Sequence, residues 1–237
     1  MIVVPEGSAL RCITQPDHAH FAGELLSLWR TGGLPAHPRR DDLIFAAREH
    51  DNGWREIDEG PAFDSASGVP LDFITVADGV KQSVWPRAID RVAQLSPYAA
   101  ALIAQHAIAV YQSHANKPLW TAFFDAMAAR RDALLTGTEH STADLEGDYR
   151  FLSVVDLLSL SFCNAWPDER ERYGCRVRYA GEGIDVNPAL FTGDVPIRIR
   201  GRRLPNRRYA STADLRAAFD QAPPETLQGL ARRGSDS

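Results

Sequence analysis

Lysine is almost absent from this chain of 237 residues: Lys81 and Lys117 are the only two, so arginine supplies nearly all of the 26 basic residues. The 31 acidic residues outnumber them, and the net charge of -5 argues against a broad surface for nucleic acid. Three cysteines occur without a CxxC spacing, which favours a reducing compartment over a disulfide framework. We therefore expect a cytoplasmic protein that acts on a small molecule and binds no nucleic acid.

A long hydrophobic run is also lacking. The longest apolar stretch, residues 98–111, is interrupted by Gln105 and His106, and it is shorter than the roughly 20 residues that span a bilayer. Met1 to Val4 is followed by Pro5 without the basic segment of a signal peptide. We expect no membrane association, and the composition leaves a homo-oligomer open.

Helical patterns fill much of the chain. Apolar residues recur at spacings of three and four over residues 17–30, 41–51, 80–94, 97–113, 117–135 and 145–165. Pro16 and Asp17 are typical of a helix start, and Gly53 is predicted to end the second helix in a left-handed conformation. The segment from Trp54 to Gly79 lacks clean periodicity and is predicted to be a long ordered loop.

Strand patterns occur at the two ends of the chain. The β-branched residues 2–14 predict one or two edge strands, and residues 177–179 and 197–200 alternate apolar with charged side chains. A short helix over 212–221 and a disordered tail are predicted to follow. The expected fold is mainly α, with a helical bundle over residues 1–170 and a small strand-rich extension and tail over 171–237. This extension is predicted to cap a pocket or to mediate dimerisation.

Five metal-ligand side chains interrupt the apolar faces of the predicted helices. Burying an imidazole or a carboxylate without a partner costs free energy, so each of these residues needs a partner. Histidine and aspartate are common ligands of iron, manganese and zinc. The candidate ligands are His18, His50, Asp51, His106 and Asp156.

Each candidate also has an ordinary structural interpretation. The His50-Asp51 pair can be an accidental dipeptide in a turn, and His18 and His106 can be hydrogen-bonded core residues. Asp156, in the apolar run from Phe151 to Leu160, can form a buried salt bridge with an arginine. We favour the metal interpretation because inward candidates occur on four separate helical segments.

The order His … His-Asp … His … Asp resembles the HD-domain metallohydrolases. The stretches ITQPDHAHFAGELLSLW, LIFAAREHDNGWREIDEGP, SPYAAALIAQHAIAVY and FLSVVDLLSLSFC, which cover most of residues 12–164, also resemble a bacterial family of unknown function numbered 3891. The resemblance implies an HD-like helical fold in which His18, His50, Asp51, His106 and Asp156 hold one or two divalent ions of iron, manganese or zinc. It implies no established substrate.

The first functional hypothesis is a metal-dependent phosphohydrolase for a small phosphorylated metabolite or nucleotide. A metal ion lowers the pKa of a bound water, and Asp51 or Asp156 would orient or deprotonate that water. Arg48, Arg55 and Arg87 lie near the motifs in sequence and are predicted to grip the phosphate.

Three alternatives remain open from the sequence. An HD-like diiron oxygenase would need His114 as a sixth ligand, and a binding module would keep the pocket without turnover. A hydrogen-bond network without metal is the third. Gln15 and Asp17 flank His18 and are predicted to fix its tautomer, whereas His20 is predicted to be exposed.

Overall fold

The computed structural model describes residues 1–234, in which helices lie against one mixed β-sheet. The helices are α1 Gln15–Leu28, α2 Arg40–Glu49, α3 Arg55–Asp58, α4 Asp78–Ala93, α5 Pro97–Val110, α6 Pro118–Thr136, α7 Thr142–Asn164 and α8 Thr212–Gln221. The strands are β1 Ile2–Glu6, β2 Ala9–Ile13, β3 Arg170–Arg172, β4 Cys175–Ala180, β5 Gly183–Asn187, β6 Val195–Pro205 and β7 Pro224–Arg233.

Polar caps fix the starts of three long helices. The Thr14 side chain accepts a hydrogen bond from the N–H of Asp17 in α1, and the Ser96 side chain accepts one from the N–H of Ala99 in α5, which begins at Pro97. At α7, Ser141 and Asp144 form a capping box, which satisfies two backbone donors reciprocally. The six long helices begin and end within a few residues of their predicted positions, and in α1, α5 and α7 these caps account for the start.

The seven strands form one sheet in the order β1-β2-β6-β7-β5-β4-β3. All neighbouring pairs are antiparallel except β5 and β7, which run parallel. Ala9 of β2 pairs with Pro205 of β6, so strands from the two ends of the chain lie side by side. The sheet therefore joins the N-terminal strands to the C-terminal ones.

The expected mainly α fold, and with it the all-α classification, is wrong: the chain folds as an α/β structure with a seven-stranded sheet. Residues 2–14 form β1, which is an edge strand as predicted, and β2, which lies inside the sheet between β1 and β6. Residues 224–233, predicted to lie in a disordered tail, form strand β7 between β6 and β5. Ser235 to Ser237 of that tail lie outside the described residues. The domain boundary placed between residues 170 and 171 stays a prediction.

The core is divided between the two faces of the N-terminal strands. Ile13 of β2 packs in a large cluster with α1, α5 and α7. Leu10 and Cys12 of the same strand join a smaller cluster with Leu215 and Phe219 of α8. Because β2 is buried on both faces, it fixes the position of α1, which follows it directly.

The cysteines and the lengths of the helices bear on two expectations from the composition. Cys12, Cys163 and Cys175 are buried and free of disulfide bonds, as predicted. Within residues 1–234, every helix is too short or too polar to cross a bilayer. The compartment itself stays a prediction.

Gly53 lies in the turn after α2, where that turn meets α4. A Cβ at Gly53 would overlap the carbonyl oxygen of Val84. The predicted left-handed stop is wrong, because Gly53 does not have a positive φ angle. Glycine is needed here for close approach of two backbones, and this contact places the end of α2 against α4.

We predict that Gly53→Ala lowers the free energy of unfolding by about 1–3 kcal/mol, because the added methyl group must push α4 away. Gly79→Ala is the matched control, since a Cβ there meets nothing within 4 Å and alanine favours the helix. Urea denaturation of both variants and the wild type measures the effect. Equal stability of Gly53→Ala and wild type would contradict the close approach.

Candidate metal centre

The five predicted ligands lie together in one site, although they come from four helical segments. His18 is on α1, His50 and Asp51 lie in the turn that ends α2, His106 is on α5 and Asp156 is on α7. Their ligand atoms form two overlapping groups, each within 4.8 Å: His18 with His50 and Asp51, and His50 with His106 and Asp156. The predicted clustering is thus present, with His50 at its centre.

All three imidazoles turn their Nε2 atoms toward the carboxylates. Asp156 Oδ1 lies 3.1 Å from His18 Nε2 and 3.4 Å from His50 Nε2. Asp51 Oδ2 lies 3.6 Å from His50 Nε2, and Asp156 Oδ2 lies 3.8 Å from His106 Nε2. These distances place the ligand atoms of the five residues in two overlapping groups that share His50, and imidazole and carboxylate are ligands that divalent transition metals use.

His50 provides a test of whether these residues fit a metal ion. Its ring is buried, and its Nε2 makes no well-directed hydrogen bond within the described residues. A buried nitrogen without a partner is costly in a folded protein. A cation beside Nε2 would satisfy it together with the two carboxylates, so the donor set fits a bound ion.

The Nδ1 atom of each of the three histidines lies within hydrogen-bond distance of an oxygen atom. His50 Nδ1–H donates to the carbonyl oxygen of Ala47 at 2.8 Å. The Ser159 hydroxyl donates to the carbonyl oxygen of His18 at 2.9 Å, so its oxygen accepts from His18 Nδ1–H at 2.6 Å. Because Nδ1 carries the proton in both contacts, the neutral form of either ring would present its Nε2 lone pair to a metal. His106 Nδ1 lies 3.0 Å from the Tyr149 hydroxyl.

The electrostatics of the site reflect two buried carboxylates and three imidazoles. Burial raises the pKa of Asp51, whereas His18 and His50 outweigh burial at Asp156 and hold its pKa well below the usual range. Burial lowers the pKa of His50, but Asp51 and Asp156 outweigh it and raise that pKa to about 9. Burial lowers the pKa of His106 to about 3. The site thus attracts one positive charge to the position of His50.

Two cavities open onto this cluster. The aromatic cavity, of about 320 Å³, is lined by His18, Asp51, His106 and Asp156 together with Gln15, Trp54, Phe73, Ile74, Lys81, Trp85, Val110, Tyr111, His114, Leu160 and Arg172. The second cavity, of about 420 Å³, lies at the hairpin formed by β3 and β4 and is called the hairpin cavity. It shares His106, Val110, Asp156 and Arg172 with the aromatic cavity and adds Ala109, Tyr149, Ser153, Glu171 and Tyr173. Asp156 lines both, so a small molecule can approach the cluster from either side.

A model of a family of proteins of unknown function, DUF3891, matches residues 1–206. The chain belongs to the DUF3891 family. No curated protein matches it, and no solved structure matches it. Membership confirms the predicted family resemblance, and the family description assigns no activity.

The residues that neighbour the candidate ligands of this DUF3891 protein have only part of the positions predicted for them. Asp17 accepts a hydrogen bond from the hydroxyl of Thr14, the N-cap of α1, at 2.6 Å, and Ser159 is the residue that contacts His18 Nδ1. His20 is exposed, as predicted, and lies 3.4 Å from Glu24. His114 lines the aromatic cavity but belongs to neither group of ligand atoms found within residues 1–234.

The three arginines predicted to bind substrate lie away from both cavities. Arg48 and Arg55 line a separate cavity between α1 and β6. Arg87 lies 3.5 Å from Glu56 and donates to the carbonyl oxygen of Ser83. Their role as substrate ligands stays a prediction. Among the described residues, the lysine and arginine side chains that line the aromatic cavity are Lys81 and Arg172.

Sequence reasoning missed three residues that build the site of this DUF3891 protein. Ser159 follows Asp156 by three positions, which is a helical-face signal that could have identified it. Tyr149 lies seven positions before Asp156 on the same helix, so the same periodicity pointed to it. Arg172 comes from strand β3, and no local pattern indicates that this strand returns to the helices.

We predict that Asp156→Asn removes most of the bound metal, because it replaces the carboxylate that approaches all three imidazoles. Metal content measured by elemental analysis checks this. His20→Ala is the control and should keep the wild-type content, since His20 is exposed. Unchanged metal in Asp156→Asn would contradict the site, and loss of metal in His20→Ala would mean that the wrong histidine of α1 was assigned.

Ser159→Ala should weaken metal affinity by about 10–100-fold, because it removes the partner that holds His18 Nδ1. Ser161→Ala on the same helix is the matched control, since its buried hydroxyl has no partner within the described residues. Competition with a chromogenic chelator measures both affinities. Equal affinities in the two variants would show that Ser159 does not position His18.

Proposed function

We propose that this protein is a metal-dependent hydrolase that acts on a small phosphorylated substrate, and that its helices are related to the HD-domain superfamily. The observation that carries the proposal is the convergence of three imidazole Nε2 atoms and two carboxylates beside cavities that also contain cationic side chains. The chain order His18, His50-Asp51, His106, Asp156 supports the superfamily relation.

His18, His50, Asp51, His106 and Asp156 would hold one or two ions of iron, manganese or zinc. A bound ion of this kind supplies a water of lowered pKa and stabilises negative charge on a phosphate oxygen. Asp51 and Asp156 are the carboxylates that line the aromatic cavity within the described residues. In this proposal, Asp51 or Asp156 orients or deprotonates the attacking water.

The walls of the aromatic cavity favour a small substrate. Trp54, Phe73, Trp85 and Tyr111 provide apolar and aromatic surface, while Lys81 and Arg172 provide positive charge. A mostly apolar pocket with a few placed polar groups is typical of a small-molecule site. A phosphate ester with a compact organic group fits this combination.

The position of His114 bears on the alternative of a diiron oxygenase. Its imidazole lies beside Tyr111 and Trp120, with ring centroids 6.0 Å and 4.7 Å away. It lies outside the two ligand groups of the described chain, so the sixth ligand expected for that enzyme is not in place. This geometry favours the hydrolase.

Elemental analysis of the purified protein beside His50→Ala/Asp51→Ala tests the proposal. We expect iron, manganese or zinc in the wild type and its loss in the double variant, together with loss of phosphatase activity toward p-nitrophenyl phosphate and a panel of phosphorylated metabolites. His114→Ala is the control and should keep its metal.

Other outcomes would change the assignment. Two equivalents of iron that depend on His114 would favour the oxygenase, and metal without any phosphatase activity would favour a binding module. Absence of metal, even after metal ions are added, would mean that the cluster is a hydrogen-bond network without a metal.

A further inference from the structure

Gln15 carries a buried acceptor that the fold does not use. The residue is 3% exposed, and its Oε1 has no hydrogen-bond partner within residues 1–234. Its backbone N–H donates to Asp58 Oδ2 at 2.6 Å, which fixes the residue at the start of α1. Buried polar atoms are nearly always paired, so an unpaired one in a fixed residue calls for an explanation.

The position of Gln15 supplies that explanation. It lines the aromatic cavity beside His18 and Asp51, while Trp54 and Trp85 line its apolar wall. A molecule that enters this cavity with a hydrogen-bond donor would satisfy Oε1, whereas one without a donor would leave it unpaired. A site of this kind discriminates between ligands by the presence of the donor.

Arg172 is the second group that the fold leaves available. It ends strand β3, lines both cavities and has no acidic partner within the described chain; its guanidinium donates to the carbonyl oxygen of Glu171. Lys81, in contrast, lies 3.8 Å from Asp78 and donates to the carbonyl oxygen of Ile74 at 2.7 Å. Arg172 is thus the cation free to bind an oxyanion in a bidentate manner.

The hairpin holds Arg172 in place. Tyr173 and Gly174 connect β3 to β4 with positive φ angles of 50° and 73°, as in the tight two-residue turns that suit a twisted hairpin. Arg172 pairs with Cys175 across this turn, and Cys175 is buried. The arginine therefore projects from a defined structure and not from a loose loop.

We propose that Gln15 and Arg172 are recognition residues for a ligand of one chemical class: a small oxyanion carried on an apolar ring that also bears a hydrogen-bond donor. Arg172 binds the oxyanion, the aromatic wall contacts the ring, and Gln15 Oε1 accepts from the donor. The inference rests on the proposed function for the choice of a phosphate-like oxyanion, but binding itself requires no turnover.

The test uses phosphonates, which bind like phosphate esters and are not hydrolysed. Phenylphosphonate is compared with its 2-, 3- and 4-amino derivatives, which add one donor at different positions of the ring. Affinities are measured by isothermal titration calorimetry on the metal-loaded full-length protein. The variants are Gln15→Met, which removes the acceptor at similar volume, and Arg172→Ala. Gln94→Met and Arg170→Ala, both at exposed positions, are the matched controls.

We expect at least one amino isomer to bind the wild type about tenfold more tightly than phenylphosphonate does, as one added hydrogen bond allows. Gln15→Met should abolish this preference, keep the affinity for phenylphosphonate, and unfold at the same or a higher temperature than the wild type. Arg172→Ala should weaken all probes about equally, by tenfold or more, and keep the preference. Both controls should behave as the wild type.

Three results would overturn the inference. The first is an unchanged preference in Gln15→Met, and the second is a fall in its unfolding temperature, which would show that the carboxamide has a structural role. The third is the absence of phosphonate binding at millimolar concentration. Phosphonate binding in a protein without phosphatase activity would instead contradict the proposed hydrolase and leave the recognition residues standing.

Discussion

The rest of the site depends on one electrostatic constraint, the burial of Asp51 and Asp156 beside the same two imidazoles, those of His18 and His50. Two carboxylates in a protein interior repel each other and lose hydration, so a positive charge between them stabilises both. In the protein without metal, the elevated pKa of His50 reflects this stabilisation. A divalent ion would supply more charge at the same place, and the hydrogen bonds at Nδ1 of His18 and His50 would leave each Nε2 to bind it once the ring is neutral.

Several packing and hydrogen-bond contacts keep the candidate ligands close together against this repulsion. α1 is fixed by β2, which is buried on both faces, and the turn after α2 is fixed by the close approach of Gly53 to α4. Ser159 on α7 contacts both the ring and the carbonyl oxygen of His18, so it ties two ligand-bearing helices together. Small displacements of a ligand weaken a metal site, and each of these contacts opposes such a displacement.

The difference between local and long-range signals decides how much was predictable. The six long helices and the five ligands could be predicted because caps, apolar periodicity and misplaced polar residues such as Asp156 are local features. The sheet could not, because pairing of Ala9 with Pro205 joins segments that no periodicity connects. Residues 224–233 were interpreted as a tail for the same reason: their strand is defined by its neighbours β6 and β5. Arg172 was missed because it lines a cavity with His106 and Asp156 only after β3 has paired with β4 and the hairpin has packed on the helices.

The difference between local and long-range structure also separates the candidate metal ligands from the residues proposed to recognise a substrate. The helices and the turn after α2 provide the five candidate ligands, and these residues by themselves specify no substrate. The sheet adds the β3–β4 hairpin, and with it Arg172, which lines both cavities. Because the strands that support this hairpin reach from residue 2 to residue 233, a change in the sheet could alter what the cavity accepts while the ligands stay in place. Specificity is therefore better sought in the long-range pairing of the strands and in Gln15 than in the metal ligands themselves.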